Sequence, residues 1–162
     1  MSEVTLRPGT AGEILPVDLL RMAEPSIDEL NSYMDTAISF IAELDGAIIG
    51  ACLMTQVTPE TIELKNISVY PDFRNMGVGR SLISFAADMA RDAGCLEIIA
   101  GTDNSNAPGL IFLQKLGFDM DSIEKGYYTQ HGKIVSGLFS LNAVHRVWFI
   151  RQLDESTTNP TE

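Results

Sequence analysis

From residue 61 the chain runs without a break through a strand, a glycine-containing turn and a helix start. It reads Asn66-Ile67-Ser68-Val69, a Tyr70-Pro71-Asp72-Phe73 link, then Arg74-Asn75-Met76-Gly77-Val78-Gly79-Arg80-Ser81-Leu82. Leu82, Phe85, Ala86, Met89, Ala90 and Ala93 follow at spacings of three and four, the pattern of an amphipathic helix, and Gly94 suits its end. Residues 96–100 are a short apolar run of the buried-strand type. Strand, helix and strand in that order imply a parallel pair with a right-handed crossover, which no tight turn can supply.

The flanking segments add antiparallel strands and helices. Residues 4–6 suit a short first strand, and helical segments are expected around 11–22 and 26–36, with Pro25 and Ser26 marking the second start. Residues 38–44 and 47–57 are apolar runs separated by Asp45-Gly46, a strong hairpin signal. A short helix over 107–116 has Asn106 at its N-cap, Pro108 in its first turn and Gly117 beyond its end. Strands are expected at 120–128 and 144–153, joined by a glycine-containing connection over 132–142. The second of these, with Trp148 and Phe149, is a candidate edge for pairing into a homodimer. The expected fold is mixed α/β (α+β), a central and mostly antiparallel sheet with one parallel pair, flanked by helices. One domain spans residues 1–153, and a polar tail over 154–162 is expected to be disordered.

The strand over 61–70 carries a phase error. Ile62 and Leu64 lie on one face whereas Ile67 and Val69 fall on the other, and a bulge near Lys65-Asn66 would restore the alternation. Bulges bend a strand and can end its pairing, so the sheet is expected to splay here and admit a ligand. The loop that follows suits an anion. Gly77 and Gly79 allow close approach of backbone N–H groups, and a helix N-terminus adds unpaired donors and a favourable dipole. The loop is neither the Gly-x-Gly-x-x-Gly of dinucleotide sites nor a Gly-Lys-Ser/Thr P-loop.

Charge and cysteine usage narrow the partners. With 22 acidic against 11 basic residues, a net charge of −11 argues against nucleic acid and favours encounter with a cationic substrate. No apolar run approaches the ~18 residues of a membrane span. Cys52 and Cys95 sit in apolar stretches without metal or redox spacing, and His131 and His145 have no partner spacing for a metal. No metal and no membrane are therefore expected, and reduced thiols point to a cytoplasmic chain.

Two blocks together, Asn66-Ile67-Ser68-Val69 through Gly79 and Asn104-Ser105-Asn106-Ala107 through Gln114-Lys115-Leu116-Gly117-Phe118, resemble the GNAT superfamily of acetyl-CoA-dependent N-acetyltransferases, most densely over 61–118. The resemblance implies transfer of an acetyl group from acetyl-CoA to a primary amine, by direct attack in a ternary complex, with a cationic small molecule as the expected acceptor. A protein amine, or a non-catalytic acyl-CoA-binding module, are the alternatives.

The resemblance also implies site residues. The loop would bind the coenzyme pyrophosphate through the N–H groups of Met76, Gly77, Val78, Gly79, Arg80 and Ser81, with Arg74, Asn75 and Arg80 around it. Ile67, Ser68 and Val69 would face the pantetheine arm, with backbone groups offered in the manner of an added strand. Asn104 and Asn106 compete for contact with that arm, and an N-cap role explains Asn106 nearly as well. Glu63, eleven positions before Arg74, is the implied general base. Leu113 stands five residues before Phe118, where many family members place a tyrosine that protonates the departing thiolate. Tyr70, Tyr127 and above all Tyr128 are the candidate substitutes for that acid.

Overall fold

The computed structural model describes residues 2–130 and 141–153. Its strands are β1 (Val4–Pro8), β2 (Ile38–Leu44), β3 (Ala47–Gln56), β4 (Thr61–Val69), β5 (Glu97–Asp103), β6 (Asp119–Glu124) and β7 (Arg146–Gln152). Its helices are α1 (Val17–Leu20), α2 (Ile27–Tyr33), α3 (Val78–Asp92), α4 (Ala107–Lys115) and α5 (Tyr127–Gln130). One sheet takes the order β1-β2-β3-β4-β5-β7-β6. Only β4 and β5 run parallel, and only over Thr61↔Glu97, Ile62↔Ile98 and Glu63↔Ile99. Every other neighbouring pair is antiparallel. The expected mixed fold is the observed one.

The bulge lies where the phase error put it. Leu53 faces Asn66 and Met54 faces Leu64, so Lys65 has no partner on β3. Ile62, Leu64, Ile67 and Val69 thereby join a single apolar cluster on the α3 side of the sheet, with Leu82, Ile83 and Ala86. On the other side Leu19, Leu20, Leu30 and Tyr33 from α1 and α2 pack on Ile41, Ala51 and Leu53. Asn66 ties this layer to β4. Its Nδ2 donates to Leu20 O at 2.8 Å and to Tyr33 Oη at 3.2 Å, while its Oδ1 accepts from Ser68 Oγ at 2.8 Å. Asn66 and Ser68 are both buried, and this network gives both of their side chains partners.

Several expected boundaries shift, each for a local reason. The helix expected over 11–22 shrinks to α1 because Gly12 takes a φ of 76° and Pro16 occupies the N-cap. Ser26 caps α2 as expected, its Oγ accepting from Glu29 N at 3.3 Å. The α3 core face includes Ile83 and Ala87, and Met89 is 40% exposed at its rim. The strand expected over 120–128 ends at Glu124, since Gly126 turns the chain at a φ of 70° and Tyr127–Gln130 is helical. Gly126 N donates to His145 Nδ1 at 2.9 Å, which satisfies that histidine.

The homodimer edge is the clearest correction. β7 lies between β5 and β6, so neither of its sides is free to pair with another chain. The outer strand on this side of the sheet is β6, and it is exposed throughout. Asp119, Asp121 and Glu124, together with a bulge between Met120 and Ser122, make it a poor template for edge pairing. The expected connection over 132–142 lies mostly, and His131 and the tail over 154–162 wholly, outside the described residues. No described helix is long and apolar enough to cross a membrane.

Candidate active site

A cleft of about 660 Å³ opens where β4 and β5 part beyond Glu63 and Ile99. Residues 64–69 of β4 form one wall and Ala100, Gly101 and Thr102 of β5 the other. The loop before α3 closes the C-terminal end of β4, α4 borders the cleft with Phe112 and Leu113, and Met22 and Ala23 reach it from beyond α1. Bulge and splay therefore coincide, because pairing with β5 stops just before the strand acquires its extra residue.

The loop presents donors. Asn75 and Gly77 take left-handed φ values of 60° and 80°, and Gly77 is the α3 N-cap. Among the described residues no side chain caps the helix, and the first-turn N–H groups of Val78, Gly79 and Arg80 have no partner within it. Ser81 is a correction. Its N–H donates to Gly77 O at 2.9 Å, and neither Ser81 nor Met76 lines the cleft. Gly79 answers a different need from Gly77, since a Cβ there would stand 3.2 Å from Phe112 Cζ. The second glycine therefore allows α3 and α4 to meet closely.

Among the described residues the charged lining consists of Lys65, Arg74, Arg80 and Lys115, with no Asp or Glu. In a chain of net charge −11 such a lining marks an anion site. Arg74 fastens the loop to the sheet through Nε, which donates to Val69 O at 2.8 Å. Arg80 joins the helices through Nη2, which donates to Lys115 O at 3.3 Å.

The two asparagines separate. Asn106 lines the cleft and caps α4, its Oδ1 accepting from Gly109 N at 3.1 Å and its Nδ2 donating to Thr102 Oγ1 at 3.0 Å. Asn104 lies outside the lining. Its Oδ1 accepts from Val144 N and His145 N, each at 2.8 Å, and its Nδ2 donates to Asn142 O at 3.2 Å. It anchors the chain that leads into β7, outside the lining of the cleft.

Glu63 sits one residue before the lining begins, at the last parallel pair. Its side chain is 17% exposed and pairs with Lys65 Nζ at 3.4 Å. Leu113, where a tyrosine acid would stand, is buried in the α3-side cluster and only borders the cleft. None of the candidate substitutes lines the cleft. Tyr70 Oη donates to Asp18 Oδ2 at 2.9 Å, and the Arg146 guanidinium lies 3.6 Å over the Tyr127 ring. Tyr128 sits in α5; burial first, then the Asp103 carboxylate, pushes its hydroxyl up to about 12, so it keeps its proton at neutral pH. Cys52 and Cys95 are free and buried, and burial pushes the Cys52 thiol well up.

Phe112, Met22 and Ala23 were not expected in the cleft. The α4 sequence is apolar on more than one face, Ile111-Phe112-Leu113, so its spacing does not reveal which side chain meets α3.

Residues 15–118 match the Acetyltransferase (GNAT) family. Over 114 residues, 70% of this chain and 74% of the relative, the sequence is 30% identical to the uncharacterized N-acetyltransferase YvbK of Bacillus subtilis. It is 32% identical over 80 residues, 49% of this chain and 54% of the relative, to a [ribosomal protein bS18]-alanine N-acetyltransferase of Salmonella typhimurium. Among solved structures, a GNAT family acetyltransferase from Elizabethkingia anophelis with acetyl-CoA bound superposes with a TM-score of 0.82. It is 27% identical, and the match covers 92% of this chain and 97% of that one.

Proposed function

The chain belongs to the GNAT family and is an N-acetyltransferase with acetyl-CoA as cosubstrate, and from that premise we propose that it acetylates the primary amine of a small molecule by direct attack in a ternary complex. The observation that carries this reading is the cationic cleft, open across the parted strands and ending at the unpartnered N–H groups of α3. Those N–H groups, with Arg74, Arg80 and Lys115, suit the coenzyme's phosphates. The edge of β4 from Ile67 to Val69 has no strand partner on the β5 side and suits the pantetheine amides.

The chemistry follows from proximity and proton removal. An alkyl ammonium of pKa about 10.4 must lose a proton before it attacks, which costs about 4 kcal/mol near pH 7.4. Glu63, beside the end of the cleft, takes that proton through water. The amine nitrogen bonds to the acetyl carbon and gives up its second proton to water, the carbon–sulfur bond breaks, and coenzyme A leaves as thiolate. With a thiol pKa near about 8.5 the thiolate takes its proton from water at little disadvantage, so a leucine at position 113 is tolerable. Residues 1–153 act as one domain, in a reducing cytoplasmic setting that matches Cys52 and Cys95. The net charge of −11 supports an acceptor whose amine arrives as a cationic ammonium.

A protein amine is the second reading, favoured by the likeness to a ribosomal-protein alanine acetyltransferase over about half of this chain. Calorimetry with acetyl-CoA, then thiol release against small amines and N-terminal peptides, tests both. Small-amine turnover with idle peptides supports the first reading, and the reverse replaces it.

A further inference from the structure

Three of the four cleft cations fall at the phosphate end. Arg74 holds Val69 O, and Arg80 and Lys115 join α3 to α4. Lys65 does not belong with them. It stands four residues up β4 from Val69, about 13 Å along the strand, and the bulge leaves it unpaired on β3. Its Nζ lies 5.3 Å from the centroid of the Tyr33 ring, on the α1–α2 side of the sheet. Its contact with Glu63 is a single one of 3.4 Å, well beyond the 2.7 Å between Arg7 and Glu13. A charge-assisted bond of full strength is shorter than that, and an ammonium has three donors.

We propose that Lys65 is the anion anchor of the acceptor site, so that the favoured acceptor is an amine that also carries a carboxylate. This rests on the small-molecule reading above. A lysine four residues from the phosphate end has no coenzyme phosphate to meet. One compact ammonium, without an arginine fork or a nest of N–H groups, suits a singly charged carboxylate better than a phosphate. Opposite charge for the amine stands close by. Glu63 flanks Lys65, and Glu24 and Asp103 each follow a cleft-lining residue in the chain.

The test uses the full chain with acetyl-CoA, measuring thiol release with the proteinogenic amino acids against their decarboxylated amines at equal free-amine concentration. The expected result is a preference of at least about tenfold in kcat/KM for the carboxylate-bearing partner of the best pair. Lys65→Met brings that ratio to within about threefold of one, Lys65→Arg retains it, and acetyl-CoA affinity by calorimetry is unchanged in both. A wild-type ratio at or below one overturns the proposal, as does a preference that survives Lys65→Met. Acetylation of no small amine by a protein that binds acetyl-CoA overturns the small-molecule reading itself, and this proposal with it.

Discussion

Gly77 and Gly79 sit two residues apart and resist substitution for different reasons. Gly77 has open space around a Cβ but a φ of 80°, a conformation that costs other residues about 1–2 kcal/mol. Gly77→Val should therefore reshape the loop, weakening acetyl-CoA binding by tenfold or more in calorimetry with a small change in melting temperature. Gly79→Val should push Phe112 away and lower the melting temperature as well. Leu113→Tyr asks whether a tyrosine acid can be restored. Because Leu113 is packed in the core, the added volume should cost about 1–3 kcal/mol of stability, and turnover should not rise. A tenfold gain in thiol release at an unchanged melting temperature would overturn that expectation. Glu63→Gln should leave coenzyme affinity intact and lower acetylation at neutral pH, with partial recovery as rising pH supplies free amine. A wild-type pH profile in that variant removes Glu63 as the base.

At the scale of elements, β4 does two jobs through one inserted residue. The bulge aligns its apolar side chains with the α3 layer and turns Asn66 toward α1 and α2. Asn66→Ala would leave Leu20 O, Tyr33 Oη and Ser68 Oγ short of a partner, at a cost of about 1–3 kcal/mol. Since Met22 and Ala23 border the cleft just beyond α1, loosening that tie should raise KM for the amine more than it weakens acetyl-CoA binding. Equal effects on both would mean that the network serves stability alone. The bulge and the Asp-Gly hairpin were readable in advance because each depends on adjacent residues, whereas the contact of Phe112 with α3 depends on a helix remote in the chain.

For the whole molecule, 22 carboxylates against 11 basic side chains make acid a two-sided perturbation. Protonating most carboxylates relieves repulsion, but Glu13 is held well below its ordinary value, at about 2, by hydrogen bonds from Arg7 and then Thr10. A lowered folded-state pKa means that the stability Glu13 contributes is complete above its ordinary pKa and is lost as pH falls toward about 2. The pair joins the segment before α1 to β1, and through Glu43 to β2. Melting followed by circular dichroism should therefore show wild type losing more stability than Glu13→Gln between about pH 5 and pH 2. Parallel curves would mean that solvent already screens the pair.

Local chemistry determined much of this protein from the sequence alone. Side-chain period marked β2, β3, β4 and α3, turn residues marked the hairpin and the α4 cap, and the phase error in β4 located both bulge and splay. Each of these is decided by neighbours a few residues apart. Tertiary structure alone decided that β7 lies inside the sheet, that Leu113 is core, that Asn104 serves the chain before β7, and that the candidate tyrosines lie outside the cleft. It also gathered Lys65, Arg74, Arg80 and Lys115 onto one surface of an acidic chain. Strand order and the meeting of faces depend on pairings between segments far apart, and those pairings compete globally, so no local pattern of side chains can specify them.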